Sequence, residues 1–326
     1  MKRRAVLAGL AAMLAPLPAM AQTPTRRLGV LMGNRADDPV AQAYAAPLIQ
    51  GLRSLGWQEG ANLRVDWRWA GGDTDLFDRY AAELVALRPD VLLAQSSPSV
   101  VALRQKTSTL PIVFTMVSDP VGQGFVKSLG HPGGNVTGFS DFNALMAGKW
   151  LDMLTQVTPP VGRVAVLYNP ATAPYAGLMM RAIEQAAPAF AMSAQGTPCR
   201  DDAGIEAVIA ELANAGRGGL LVLTDIFNIV HRDTILAAAA KHRLPTVYFT
   251  RSFTDAGGLM SYGIDYADLF LRSAAYIDRI LKGINPRDLP VQQPTKFELS
   301  INLRTAKARD ITLSTTLLAT ADEVIE

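Results

Sequence analysis

Residues 111–140 read P-I-V-F-T-M-V-S-D-P-V-G-Q-G-F-V-K-S-L-G-H-P-G-G-N-V-T-G-F-S. The run opens as a strand, apolar on both faces, and breaks at Ser118-Asp119-Pro120. Small polar residues at the carboxyl end of a buried parallel strand are where open α/β sheets hold ligands. The passage that follows, Gly130 to Gly134 and then Val136 and Phe139, is too apolar for a linker. It predicts that the chain leaves one α/β lobe here for a second, with a cleft between them and Ser118 and Asp119 at its lip.

The pattern on either side agrees. Upstream, strands are predicted over 27–33, 62–69 and 90–94, alternating with helices over 39–55 and 74–87. Leu63, Val65, Trp67 and Trp69 share one strand face. Downstream the alternation restarts, with strands at 163–168, 219–223, 245–249, 257–262 and 297–301. Helices are predicted over 145–157, 175–187, 201–214, 230–242, 265–282 and 303–309. Strands separated by helices of this length mean βαβ units and a mostly parallel sheet. The two halves also open alike, L-G-V-L-M-G-N at 28–34 and V-A-V-L-Y-N-P at 164–170. The predicted fold is α/β, two Rossmann-like lobes with mostly parallel sheets joined by a hinge.

The bulk composition fits. The chain has 326 residues, 49% hydrophobic and 18% charged, enough core for two domains. Lys2, Arg3 and Arg4, the apolar stretch 5–18 and Ala19-Met20-Ala21 read as a secretory signal peptide, 1–21, cleaved after Ala21. Gln22 follows rather than a cysteine, so no lipid anchor is expected, and Arg3-Arg4 leaves both general and twin-arginine export open. Without its three basic residues the remainder carries 28 Lys and Arg against 29 Asp and Glu. That balance lacks a basic stripe and argues against nucleic acid. Cys199 is the only cysteine, so no internal disulfide can form.

The strand ends supply the candidate ligand-binding residues: Asn34, Gln95, Ser96, Ser97, Ser118 and Asp119 in the first half, Asn169, Thr224, Asp225 and Tyr248 in the second. Ser96-Ser97 before Pro98 suits a carboxylate, because a helix N-terminus offers orphan N–H donors and a positive dipole end. Asp119 and Asp225 could accept from an ammonium group, one from each half. Either could instead cap a helix, as could each serine. Phe142, Tyr168, Tyr175, Phe227 and Tyr248 could stack on a ring.

Catalytic patterns are weak. His131, His231 and His242 lack metal-ligand spacing, and no metal or cofactor is expected. There is no G-x-S-x-G elbow. Gly133 and Gly138 have P-loop spacing, but Phe139 stands where lysine is required. The first strand runs into no dinucleotide fingerprint.

The ordered set of segments resembles a known family. These are R-R-L-G-V-L-M-G at 26–33, G-L-R-S-L-G-W-Q-E-G-A-N at 51–62, W-R-W-A-G-G-D at 67–73, and A-A-E-L-V-A-L-R-P-D-V at 81–91. They continue with V-S-D-P-V-G-Q-G-F-V at 117–126, P-G-G-N-V-T-G-F at 132–139, V-A-V-L-Y-N-P at 164–170, H-R-L-P-T-V-Y at 242–248, G-G-L-M-S-Y-G at 257–263 and P-T-K-F-E-L-S-I-N-L at 294–303. The chain is similar to extracytoplasmic ABC-transporter substrate-binding proteins of the type I periplasmic-binding fold, in the tryptophan-binding branch. The resemblance implies three crossovers, an N-lobe of 26–140 plus 250–290, and a C-lobe of 141–249 plus 291–326. It implies a periplasmic monomer, hinge closure on a small solute and delivery to an ABC permease in the inner membrane. An amino acid, aromatic by preference, is the expected solute. A sugar, or a sensor role toward a membrane receptor, is the alternative.

Overall fold

The computed structural model describes residues 25–141 and 145–326. Phe142 and the leader at 1–21 lie outside the described residues. The first lobe is built from β1 (Arg26–Met32), α1 (Pro39–Ser54), β2 (Leu63–Trp69), α2 (Thr74–Ala86), β3 (Val91–Gln95), α3 (Ser97–Lys106), β4 (Ile112–Val117) and β5 (Val136–Ser140). Its five strands form one parallel sheet in the order β2-β1-β3-β4-β5.

The second lobe begins with α4 (Leu145–Thr155), β6 (Val157–Thr158), β7 (Arg163–Tyr168), α5 (Ala176–Ala186), β8 (Ser193–Pro198), α6 (Asp202–Asn214), β9 (Gly218–Val222), α7 (Ile226–Val230) and α8 (Arg232–Lys241). It continues through β10 (Thr246–Tyr248), α9 (Arg251–Asp255) and β11 (Met260–Ile264); the chain then forms α10 (Tyr266–Leu281), and the second lobe resumes with β12 (Phe297–Asn302), α11 (Leu303–Ala308), β13 (Thr312–Leu313), α12 (Thr315–Ala319) and β14 (Glu323–Ile325). Seven strands pair in the order β14-β12-β11-β10-β9-β7-β8, parallel except for β11 against β12. A side ribbon joins β13 to β6.

After the glycine-rich passage the chain adds Val136–Ser140 as the edge strand of the first lobe. Gly138 permits the pairing: a Cβ there would lie 2.0 Å from the Phe114 carbonyl oxygen. Segment 250–290 divides between lobes. Strand β11 pairs in the second sheet, whereas α10 packs on the first lobe. There Phe270 stacks on Tyr44 at 5.3 Å and Asp278 accepts from the Trp57 indole at 2.9 Å. The chain then returns along β5, Ser140 donating to the Gln292 carbonyl at 2.9 Å. The lobes are thus linked after Asp141, between Ile264 and Tyr266, and between Gln292 and Phe297.

Helices α1, α2 and α10 start with an aspartate cap. Asp38 accepts from Val40 N, Asp73 from Asp75 N and Leu76 N, and Asp265 from Asp268 N. These caps satisfy orphan donors, each contributing about 1 kcal/mol.

Candidate ligand site between the lobes

The carboxyl ends of β3, β4 and β5 form the first wall. Gln95 ends β3, fully buried, and its side-chain oxygen accepts from Gly33 N. Ser96 follows with φ +81° and a buried hydroxyl without a hydrogen-bond partner. It caps α3 through no side-chain bond, so the N-terminal donors of that helix are not used up by it. A strained non-glycine residue at a strand end is the kind of outlier that clusters at ligand sites.

Ser118 Oγ donates to Asp141 Oδ1 at 2.6 Å. The β4–β5 register, Val117 opposite Ser140, sets the two side by side. Asp141 is 1% exposed and its other oxygen, Oδ2, is buried without a partner among the described residues. Burial pushes this carboxyl up to about 6, against the pull of the Ser118 hydroxyl.

The opposite wall comes from the ends of β7 and β9. Asp225 caps α7, with Oδ1 accepting from Phe227 N at 3.1 Å and Thr172 Oγ1 at 2.6 Å, and Oδ2 from Asn169 N at 2.8 Å. Burial raises it to about 6 as well. Its oxygens are already engaged, unlike Oδ2 of Asp141. The Tyr175 hydroxyl donates to the Thr224 carbonyl at 2.8 Å. Burial, then Asp225 and Asp141, drives its ionisation well above the ordinary range.

These walls enclose a cavity of ≈ 10 Å³, about the room of one water molecule. Five predicted residues line it: Gln95, Ser96, Tyr175, Thr224 and Asp225. So do Met116, Asp141, Thr172, Ile226, Ile229 and Phe249, which sequence reasoning missed. Among the described residues no Lys, Arg or His lines it. Behind Phe249 stand Tyr266, edge-on at 6.3 Å, and Tyr44 beyond it.

The remaining predicted residues sit elsewhere. Asp119, at φ +46°, turns its carboxylate back onto Gly122 N at 2.8 Å and is a turn cap. Ser118 does not line the cavity but donates to Asp141, which does. Ser97 accepts from Gln123 Nε2 at 2.9 Å. Asn169 closes its own loop onto Ala171 N. Asn34 is buried at the rim, its amide 3.4 Å from Asp38. Phe227 packs on His231, ring centres 4.3 Å apart. Tyr248 stacks on Phe253 at 4.7 Å within the second lobe, because alternate residues of a strand face opposite ways and Phe249 takes the cavity side. Two signals could have found missed residues: Asp141 ends a strand as Asp119 does, and Phe249 lies one register step from Tyr248.

A model of the family described as ABC transporter substrate binding protein matches residues 37–325. A curated protein named tyrosine-binding protein, from Clostridioides difficile (strain R20291), is 28% identical over 264 residues, 81% of this chain and 75% of that protein. A solved conserved domain protein from Vibrio cholerae is 29% identical, with a TM-score of 0.85 over 92% of this chain and 99% of that one. The structure of an ABC domain in complex with L-Trp from Streptococcus pneumonia has a TM-score of 0.85 at 24% identity, covering 92% and 100% of the two chains.

Proposed function

The chain belongs to the ABC transporter substrate-binding protein family, and from that premise we propose that it captures an aromatic L-amino acid between its lobes. The observation that carries this reading is Asp141 Oδ2, a buried carboxylate oxygen that has, among the described residues, no partner and no basic side chain in the cavity that Asp141 lines. A buried carboxylate calls for a cation, and an α-ammonium supplies one together with hydrogen-bond donors. Ser96 Oγ and the start of α3 take the α-carboxylate. Phe249 and Tyr175 flank the ring. The tyrosine named for the curated relative and the L-Trp bound in the Streptococcus complex support the choice of side chain. A neutral sugar would leave Asp141 without a counter-charge.

A cavity of ≈ 10 Å³ admits no amino acid, so loading requires the lobes to part and closure then desolvates the ligand. Members of this family are extracytoplasmic and work with ABC permeases. For this chain we infer a periplasmic monomer without catalytic activity or nucleic-acid binding, exported by a cleaved leader and not lipidated. Among the described residues no helix is long and apolar enough to cross a membrane.

Titration calorimetry of the chain lacking residues 1–21 tests the reading, with L-tryptophan, L-tyrosine, L-phenylalanine, their deaminated analogues and neutral sugars. Saturable binding of at least one aromatic amino acid, lost for its deaminated analogue, is expected. Equal binding of amine and analogue would overturn the role of Asp141, and binding confined to sugars would overturn the ligand class.

A further inference from the structure

One short segment of the second lobe carries three contacts onto the first. Ile226 meets Gly33, Val230 meets Gly72, and Arg232 approaches Asp38 at 3.6 Å. The Gly33 contact is the tightest. A Cβ placed there would lie 2.8 Å from Ile226 Cγ1 and 3.0 Å from Cδ1, closer than side-chain atoms pack. At Gly72 the same test gives 3.4 Å to Val230, which is ordinary contact. Gly33 does not occupy the left-handed backbone region, so its conformation does not call for glycine. What excludes a side chain at Gly33 is chiefly the neighbour across the cleft.

Neither partner is free to retreat with its backbone. Gly33 N is held by Gln95, and the Gly33 carbonyl accepts from Gly72 N at 2.8 Å. Gly71 N donates to the Asn34 carbonyl at 3.1 Å, so the first-lobe rim is one tied unit. On the other side Ile226 opens α7, whose start is fixed by Asp225. Asn228 Nδ2 ties that helix to the carbonyls of Leu223 at 2.9 Å and Leu167 at 3.1 Å. The remaining freedom is rotation of one lobe against the other.

We propose that Gly33 and Ile226 form the stop that sets how far the lobes close, and that ligand affinity depends on position 33 lacking a side chain. The proposal rests on closure around a ligand as the working motion. Ile226 also lines the cavity, so a single side chain touches both the ligand space and the stop. Gly33 acts as a positioning residue: its bareness lets Ile226 and the second-lobe wall approach the first-lobe rim.

The test is Gly33→Ala, alone and combined with Ile226→Ala. Spin labels are placed at Ala82→Cys in α2 and Ala207→Cys in α6, both exposed and one on each lobe, with the buried Cys199 changed to serine. Interlobe distances are read by pulsed electron resonance with L-tryptophan or L-tyrosine. They are read again without ligand in concentrated sucrose, which favours burial by its exclusion from the surface. Gly33→Ala should shift the closed-form distance outward and weaken amino-acid binding roughly tenfold or more, as forcing a methyl into a filled contact does. Adding Ile226→Ala should restore the short distance. An unchanged distance in Gly33→Ala, or no restoration by Ile226→Ala, would overturn the proposal. The second result would place the conflict with Ser96 Oγ, 3.0 Å from the added Cβ within the same lobe. Failure of the parent to bind either amino acid would strike the proposed function alone, since the sucrose measurement needs no ligand.

Discussion

Changing Asp141 to asparagine should weaken ligand binding and stabilise the closed, ligand-free protein, two effects of opposite sign from one atom. Asparagine keeps the shape and can still accept from Ser118 Oγ, now 2.6 Å from Oδ1. It removes the charge from Oδ2, which has no partner. In the closed form the carboxyl is raised from 3.8 to about 6. At 1.36 kcal/mol per pKa unit, the buried charge then costs up to about 3 kcal/mol at neutral pH. Because the folded value is the higher one, the folded state holds the extra proton between pH 3.8 and about 6. Stability therefore declines as pH rises through that window and is flat above it. The asparagine variant keeps only the decline that Asp225 contributes, so its advantage over the parent should be full at pH 7.5 and vanish below about pH 4. Ligand affinity moves the other way, because a charge-assisted hydrogen bond of about 1.5–3 kcal/mol is lost, which is roughly 10- to 150-fold. Calorimetric unfolding across pH, paired with ligand titration, reads both. A variant that binds within a factor of three of the parent would refute the ammonium role. A variant less stable than the parent at pH 7.5 would refute the buried, unpartnered charge.

Three further outcomes follow from neighbouring geometry. Binding of an aromatic amino acid should weaken as pH falls below about 6, where Asp141 of the ligand-free closed protein takes up its proton; a pH-independent affinity between 5 and 8, read by titration, would contradict it. Phe249→Ala should cost about 3–5 kcal/mol of stability and more than tenfold in affinity, whereas Tyr248→Phe, which removes a buried hydroxyl without a partner, should change neither by more than about 0.5 kcal/mol; equal effects on affinity would overturn the assignment of facing sides. Gly138→Ala should lower the unfolding temperature by many degrees, because a Cβ would collide with the Phe114 carbonyl at 2.0 Å, and an unchanged transition would show that the β4–β5 edge rearranges freely.

The α/β class, the restart of the pattern that means two lobes, and the strand ends where polar residues gather are all legible along the chain. Those are properties of local periodicity: apolar runs, helical spacing and breaks at Asn, Ser and Asp are written within a few residues of one another. Of the residues that the sequence singled out, Gln95, Ser96, Tyr175, Thr224 and Asp225 line the cavity. Which of the two acids beside Ser118 lines the cavity depends on strand pairing. Asp119 adjoins Ser118 in sequence but turns away in a left-handed conformation, while Asp141, 23 residues beyond Ser118, is brought beside it by strand pairing. Phe249 in place of Tyr248 is a matter of which side of β10 meets the first lobe, a one-residue choice that a strand of period two leaves open until its sheet is placed. The bareness of Gly33 acquires meaning only when Ile226 arrives from the other lobe, 193 positions along the chain. Contacts of that kind depend on how two separately legible lobes meet, and no local pattern encodes the meeting.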